Sequence, residues 1–171
     1  FRSIKLFFMG TKHPNPDIVQ SDMVKSAVKL SNDLGLTNKY VFFNEWVDYH
    51  ERHNYLLESD IGISLHFNHL ETRFSFRTRI LDHIWCGLPT IATHGDVMSQ
   101  FIEEFEIGVV VPSQDVEQVA QGIETILEKT WSERNFKDAS DYFHWSRVFE
   151  PLIRYCCDPR KSLGKEERIA F

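Results

Sequence analysis

Short apolar runs rich in β-branched and aromatic residues recur along the chain: Ile4 to Met9, Tyr40 to Phe43, Ile61 to Leu65, Thr90 to Ala92 and Val109 to Val111. Runs of this length and make-up predict strands buried on both faces. Between them lie apolar residues at helical spacing: Met23, Ala27, Leu30 and Leu34; Tyr55 to Leu57; Leu81, Ile84, Trp85 and Leu88; and Val116, Val119, Ile123, Ile126 and Leu127. That periodicity predicts helices with one buried stripe each. Strands alternating with helices imply right-handed crossovers and a parallel sheet covered on both faces, the doubly wound α/β class.

The punctuation between elements agrees. Asn38 precedes a strand, Cys86-Gly87-Leu88-Pro89 ends a helix and turns into the next strand, and Pro112-Ser113-Gln114-Asp115 offers a cap to the following helix. From Trp131 onward the sequence turns helical and aromatic (Phe136, Tyr142, Phe143, Trp145, Phe149), with no further strand. This end predicts a docking helix followed by a polar tail, so that residues 1–150 form the domain and 151–171 the helix end and tail.

Length changes the picture little: 171 residues suffice for one domain with a sizeable core. Charge excludes more. With 19 Lys plus Arg against 25 Asp plus Glu the net charge is -6, so no overall field attracts nucleic acid or anionic lipid. No apolar run approaches the roughly 20 residues of a spanning helix, and the first residues do not read as a secretory signal. Cys86, Cys156 and Cys157 form neither a disulfide framework nor a metal-ligand spacing, which fits a reducing, cytoplasmic setting. The start, without an initiator Met and with a strand-like run from residue 4, reads as a cut within a longer polypeptide.

In a doubly wound sheet, ligands bind in the loops beyond the carboxyl ends of the strands. Four such loops are candidates: Gly10 to Pro16, Asn44 to Val47, His66 to Thr78 and Thr93 to Asp96. The third carries Arg73, Arg77 and Arg79 within seven residues. If the next helix begins near Arg77, two arginines occupy its first turn, where the free N–H groups disfavour cations. A bound phosphate or pyrophosphate resolves that conflict, because free N–H groups and guanidinium forks together make an anion site. Pairing of the arginines with Glu71 and Asp82 resolves it equally well. His50 with His53 and His66 with His69 are spaced for metal binding on a helix face, but a third ligand at a sensible spacing is missing, and no metal or other cofactor is expected.

The stretch Ser75-Phe76-Arg77-Thr78-Arg79-Ile80-Leu81-Asp82-His83-Ile84-Trp85-Cys86-Gly87-Leu88-Pro89-Thr90-Ile91-Ala92-Thr93 resembles the donor-binding segment of family 4 (group 1) glycosyltransferases. Leu6 to Gly10, Val41 to Asp60, and Gly108 to Pro112 with the helix after Asp115 resemble further elements of the same family, so the resemblance covers roughly residues 4 to 150. It implies a Rossmann-like parallel sheet of five to six strands, the C-terminal half of a GT-B architecture. It also implies a retaining transfer of sugar from a nucleotide diphosphate sugar.

The family's ribose-binding carboxylate stands five residues before the glycine of the helix-ending turn, which is Asp82 here; a helix salt bridge is its plain alternative. Ser75, Phe76, Arg77 and Thr78 stand where the family meets the diphosphate, with Arg77 and Arg79 adding charge that would favour departure of the leaving group. The family's first carboxylate, eight residues earlier, is replaced by Phe74, so Glu71 takes the catalytic, sugar-holding role only if the loop is longer than usual. Trp46 and Val47 fall where the base is contacted, with burial in the core the competing reading of Trp46. Gly10 and His13, with Lys12, lie on the loop that reaches phosphates or sugar, and surface roles compete for them. Asp96 is read as a helix cap.

An N-terminal acceptor-binding domain of the same polypeptide is the implied partner, and the isolated chain is expected to be inactive. A missing first strand would leave an open sheet edge and weak self-association. A cytoplasmic membrane face is reached, in this view, only through the missing half. Two rivals remain at this point: a non-catalytic interaction module with a decayed donor site, and a flavodoxin-like receiver using Asp60.

Overall fold

The computed structural model describes residues 4–159. Contacts divide the chain into two compact units, the first ending at Tyr55 and the second starting at Leu56.

In the first unit β1 (Leu6–Phe8) and β2 (Val41–Phe43) pair in parallel, Leu6 opposite Val41 and Phe8 opposite Phe43. This register stacks Phe7 on Phe42 and Phe8 on Phe43, with ring centroids 4.8 and 4.9 Å apart. The crossover is α1 (Asp22–Asp33), started by Ser21, whose hydroxyl accepts from the Met23 N–H. Its apolar stripe does not become core: Met23, Leu30 and Leu34 are exposed and only Ser31 is buried. Two strands of three residues offer too little surface to cover such a stripe. Asn38, at φ 60°, makes the turn into β2. The helix α2 (Arg52–Leu57) follows.

The second unit is built on β3 (Gly62–Ser64), β4 (Thr90–Thr93) and β5 (Gly108–Val111), parallel and in that order. The expected strands are thus all present, distributed between a two-stranded and a three-stranded sheet. Between β3 and β4 run α3 (Leu70–Phe74) and α4 (Arg79–Trp85); α5 (Val97–Glu104) joins β4 to β5, and α6 (Val116–Glu128) follows β5. Successive residues of a strand point to opposite faces, and two clusters result. Ala92 packs with Ile80, Ile84, Met98, Ile102 and Phe136, which brings α4, α5 and α7 (Glu133–Tyr142) to one face. Ile91 and Val111 pack with Ile126, with Val119 and Ile123 beside them, which places α6 on the other. Helices on both faces of a parallel sheet are the doubly wound arrangement.

Three sequence expectations change. The stretch His66 to Thr78 is not all loop, because α3 lies within it. The next helix begins at Arg79, with Thr78 as its N-cap residue, so Arg77 precedes the helix and only Arg79 stands in its first turn. The single docking helix after Trp131 is instead α7, α8 (Trp145–Val148) and α9 (Glu150–Cys157). The polar tail expected to end the chain falls, from residue 160 on, outside the described residues. The turn at Cys86-Gly87 is as expected, with Gly87 at φ +65°. No helix among the described residues is long and apolar enough to cross a membrane.

Candidate functional site

Parallel pairing of β3, β4 and β5 puts the loops after all three at one end of the sheet, and side chains tie those loops together. The His66 N–H donates to Thr93 Oγ1 (3.1 Å), and Ser113 Oγ donates to the His66 carbonyl (3.1 Å). The loop after β3 then closes on itself. The fully buried Thr72 donates from Oγ1 to the Phe67 carbonyl (2.8 Å), and its N–H is capped by His69 Nδ1 (3.4 Å), which starts α3.

Asp96 stands at the centre of this end. Its residue is 2% exposed, a position where a carboxylate persists only with partners. As N-cap of α5, Asp96 accepts the Ser99 N–H at Oδ1 (2.7 Å), which bears out its reading as a cap. Its Oδ2 lies 3.2 Å from His66 Nε2 and 3.6 Å from Arg77 Nε. Arg77 Nη2 lies 3.3 Å from Glu71 Oε2, and Ser75 Oγ reaches both the Glu71 carbonyl (2.8 Å) and Oε1. The hydrogen bond from Ser75, joined by the Arg77 guanidinium, holds the Glu71 carboxyl below the usual carboxylate range.

One chain of polar groups thus runs His66, Asp96, Arg77, Glu71 and Ser75. Of the arginine pairings weighed from the sequence, Arg77 with Glu71 forms. The backbone N–H groups of Phe76, Arg77 and Thr78 have no acceptor among the described residues. Phe76 is anchored edge-on against Phe143, ring centroids 6.2 Å apart. Arg79 is exposed, and Asp82 is half-buried on α4. Phe74, at the place of the family's first carboxylate, is 83% exposed.

In the first unit the structure brings Gly10, His13 and Trp46 together. The loop after β1 is bound to the loop after β2 through Gly10 N to Glu45 O (3.1 Å) and Thr11 Oγ1 to Asn44 O (2.8 Å). The His13 and Trp46 rings meet at a tilt with centroids 4.8 Å apart. Trp46 is 52% exposed, so it is not core. Val47 is half-buried and Lys12 exposed.

In the second histidine pair His66 turns to Asp96 and His69 caps α3. Among the described residues no group of three or more His, Cys, Asp or Glu is placed to hold a metal ion. Sequence reasoning weighed His66 only as half of a metal-spaced pair and missed its contact, and that of Arg77, with Asp96. The available signal was position, since His66 and Asp96 both follow strands at their carboxyl ends, where ligands bind in this fold class.

The α/β fold, with parallel sheets flanked by helices and an end lined by arginine and carboxylates, matches the fold of solved GT-B glycosyltransferases. The chain is similar to sucrose-phosphate synthase from Thermosynechococcus elongatus (TM-score 0.67, 17% identity, 92% of this chain and 39% of that one). It is similar to WaaG, a glycosyltransferase involved in lipopolysaccharide biosynthesis (TM-score 0.61, 15% identity, 91% and 38%). A third likeness is to HepE of Anabaena, solved in complex with UDP (TM-score 0.70, 17% identity, 90% and 41%). The chain spans about two fifths of each of these proteins. Comparison with curated proteins gives no match. The model of the family described as glycosyl transferases group 1 matches residues 2–129, and the chain belongs to that family.

Proposed function

We propose that this chain is the donor-binding half of a retaining glycosyltransferase that moves a sugar from a nucleotide diphosphate sugar to an acceptor held by an N-terminal domain of the same polypeptide. The observation that carries this reading is the set of three consecutive N–H groups, Phe76 to Thr78, without acceptors among the described residues, on the segment that also carries the Arg77 guanidinium. Such a set suits the diphosphate: it binds the ground-state charge and stabilises the greater charge that builds as the diphosphate departs from an oxocarbenium-like sugar. Arg79 adds to that field. Ser75 holds Glu71 ionised, which suits a carboxylate facing the sugar. Asp82 accepts from the ribose hydroxyls, Trp46 and Val47 contact the base, and Gly10 and His13 serve phosphates or sugar, as the family resemblance implies. Residues 1–150 form the donor domain in this reading, in a cytoplasmic protein, and the chain alone is inactive because the acceptor side is contributed elsewhere.

A thermal-shift panel of UDP, GDP, ADP, dTDP and the matching nucleosides tests the reading. A ligand at 100 times its dissociation constant stabilises the folded state by about 2.7 kcal/mol, which is a shift of roughly 5–10 °C at this size. A base-selective shift that requires the diphosphate is expected, and the HepE complex makes UDP the first to try. Absence of a shift with every diphosphate, in this chain and in the full-length protein, overturns it in favour of a non-catalytic module, a reading that the exposed Phe74 would then explain.

A further inference from the structure

We propose that Asp96 is a positioning residue of the anion site, acting through Arg77; the proposal rests on the donor-site reading above. The Asp96 side chain is 1% exposed and cannot wander: the first turn of α5 fixes its Oδ1 through the Ser99 N–H at 2.7 Å. Ser99 in turn donates from Oγ to the Asp96 carbonyl (2.7 Å) and accepts the Gly95 N–H (3.2 Å), so the residue is clamped on both sides. The second oxygen, Oδ2, is thereby presented at a set place, with His66 Nε2 at 3.2 Å on one side and Arg77 Nε at 3.6 Å on the other.

Arg77 is a long side chain just ahead of α4, and without an anchor it would sample many rotamers. The buried carboxylate anchors its inner edge. Arg77 Nε is itself buried and has no hydrogen-bond partner, so the ion pair with Asp96 is what compensates its charge there. The outer edge meets Glu71, whose side chain is 62% exposed. The guanidinium therefore spans from the buried Asp96 carboxylate at Nε to the exposed Glu71 carboxylate at Nη2. A planar fork held at Nε keeps its remaining donors in one orientation, which is the condition for binding a diphosphate with two parallel bonds. Asp96 touches no ligand in this arrangement; it sets where Arg77 points.

The test uses calorimetric titration of the chain with UDP, GDP and ADP and the three nucleosides, for wild type, Asp96→Asn, Arg77→Ala and the double variant. Asn keeps a capping oxygen for the Ser99 N–H and replaces the charged Oδ2 that faces Arg77 with a neutral NH2; Asp96→Ser keeps a capping oxygen on a shorter, neutral group and serves if Asn does not fold. Asp96→Asn should weaken the best-bound diphosphate about tenfold, change the matching nucleoside less than twofold, and have no further effect once Arg77 is Ala. Equal losses for nucleoside and diphosphate, or losses that multiply in the double variant, overturn the positioning role and leave Asp96 a helix cap. If neither this chain nor the full-length protein binds any of UDP, GDP, ADP and dTDP, the donor-site reading fails and this proposal falls with it, a result distinct from multiplying losses.

Discussion

Gly62 passes so close to His83 that a β-carbon on it would stand 2.5 Å from the imidazole Nδ1 and 2.9 Å from Cγ. The glycine is what lets α4 lie down on β3, with His83 buried against the strand and its Nδ1 3.0 Å from Thr90 Oγ1. Gly62→Ala should destabilise the protein by about 1–3 kcal/mol through overpacking. The same change made together with His83→Ala should cost much less. Chemical denaturation of the four variants measures the coupling, and an undiminished cost in the double variant would refute the clash.

His83 also makes stability depend on pH. Burial, reinforced by the positive charge of Arg79, pushes its imidazole down to about 4 from an ordinary value of 6.5. The unfolded chain therefore takes up a proton that the folded one refuses. This contribution to stability is complete above pH 6.5 and is lost as pH falls toward 4. At about 1.4 kcal/mol per pKa unit the loss is on the order of 3 kcal/mol. His83→Leu removes the titration, and Thr90 Oγ1 keeps its bond to the Leu88 carbonyl (3.2 Å). Unfolding free energies measured from pH 7 to 4.5 should fall less steeply in that variant than in wild type.

Glu71 titrates below its usual range first because Ser75 donates to it. Ser75→Ala should move the carboxyl back upward, followed by NMR titration of the side-chain carbon. A carboxyl that does not move would mean that the arginine alone sets its charge.

Asp82→Asn should reduce discrimination between ribonucleoside and deoxyribonucleoside diphosphates by several-fold while leaving the fold intact. Titration with UDP and its 2′-deoxy analogue reads this directly. Equal affinities in wild type would already dismiss the ribose role.

Trp46→Ala should cost under about 1 kcal/mol of stability, since the ring is half exposed and rests mainly on His13. It should nonetheless narrow the affinity gap between bases in the diphosphate panel. Thermal unfolding and titration of the same variant separate the two effects.

The elements that were legible in the sequence are those encoded locally. Thr90 to Ala92 and Val109 to Val111 are β-branched runs between turn residues, and they fold as β4 and β5. Asp115 announces α6 and caps it, accepting the Gln118 N–H at 3.0 Å. The helix α3 was hidden because it is five residues long and its one apolar pair at helical spacing, Leu70 and Phe74, stays exposed; Thr72, bonded to the Phe67 carbonyl, is the residue it buries. Met23, Leu30 and Leu34 show the reverse, a stripe with the right spacing that the described residues leave exposed. At the site, Arg77 and Ser75 stood out by charge and resemblance. Their link to Asp96 did not, because 19 residues separate Arg77 from Asp96 and only the pairing of β3 with β4 makes them neighbours.

That parallel pairing bears on the order in which the molecule assembles. His66 and Asp96 lie 30 residues apart and join loops that follow neighbouring parallel strands. Contacts of this kind must close a long stretch of chain before they return any stabilisation. Helices such as α6 can gather from neighbours in sequence, whereas the arginine–carboxylate end waits for β3 to find β4. A chain halted before that step would already be helical, with Arg77 and Asp96 still apart.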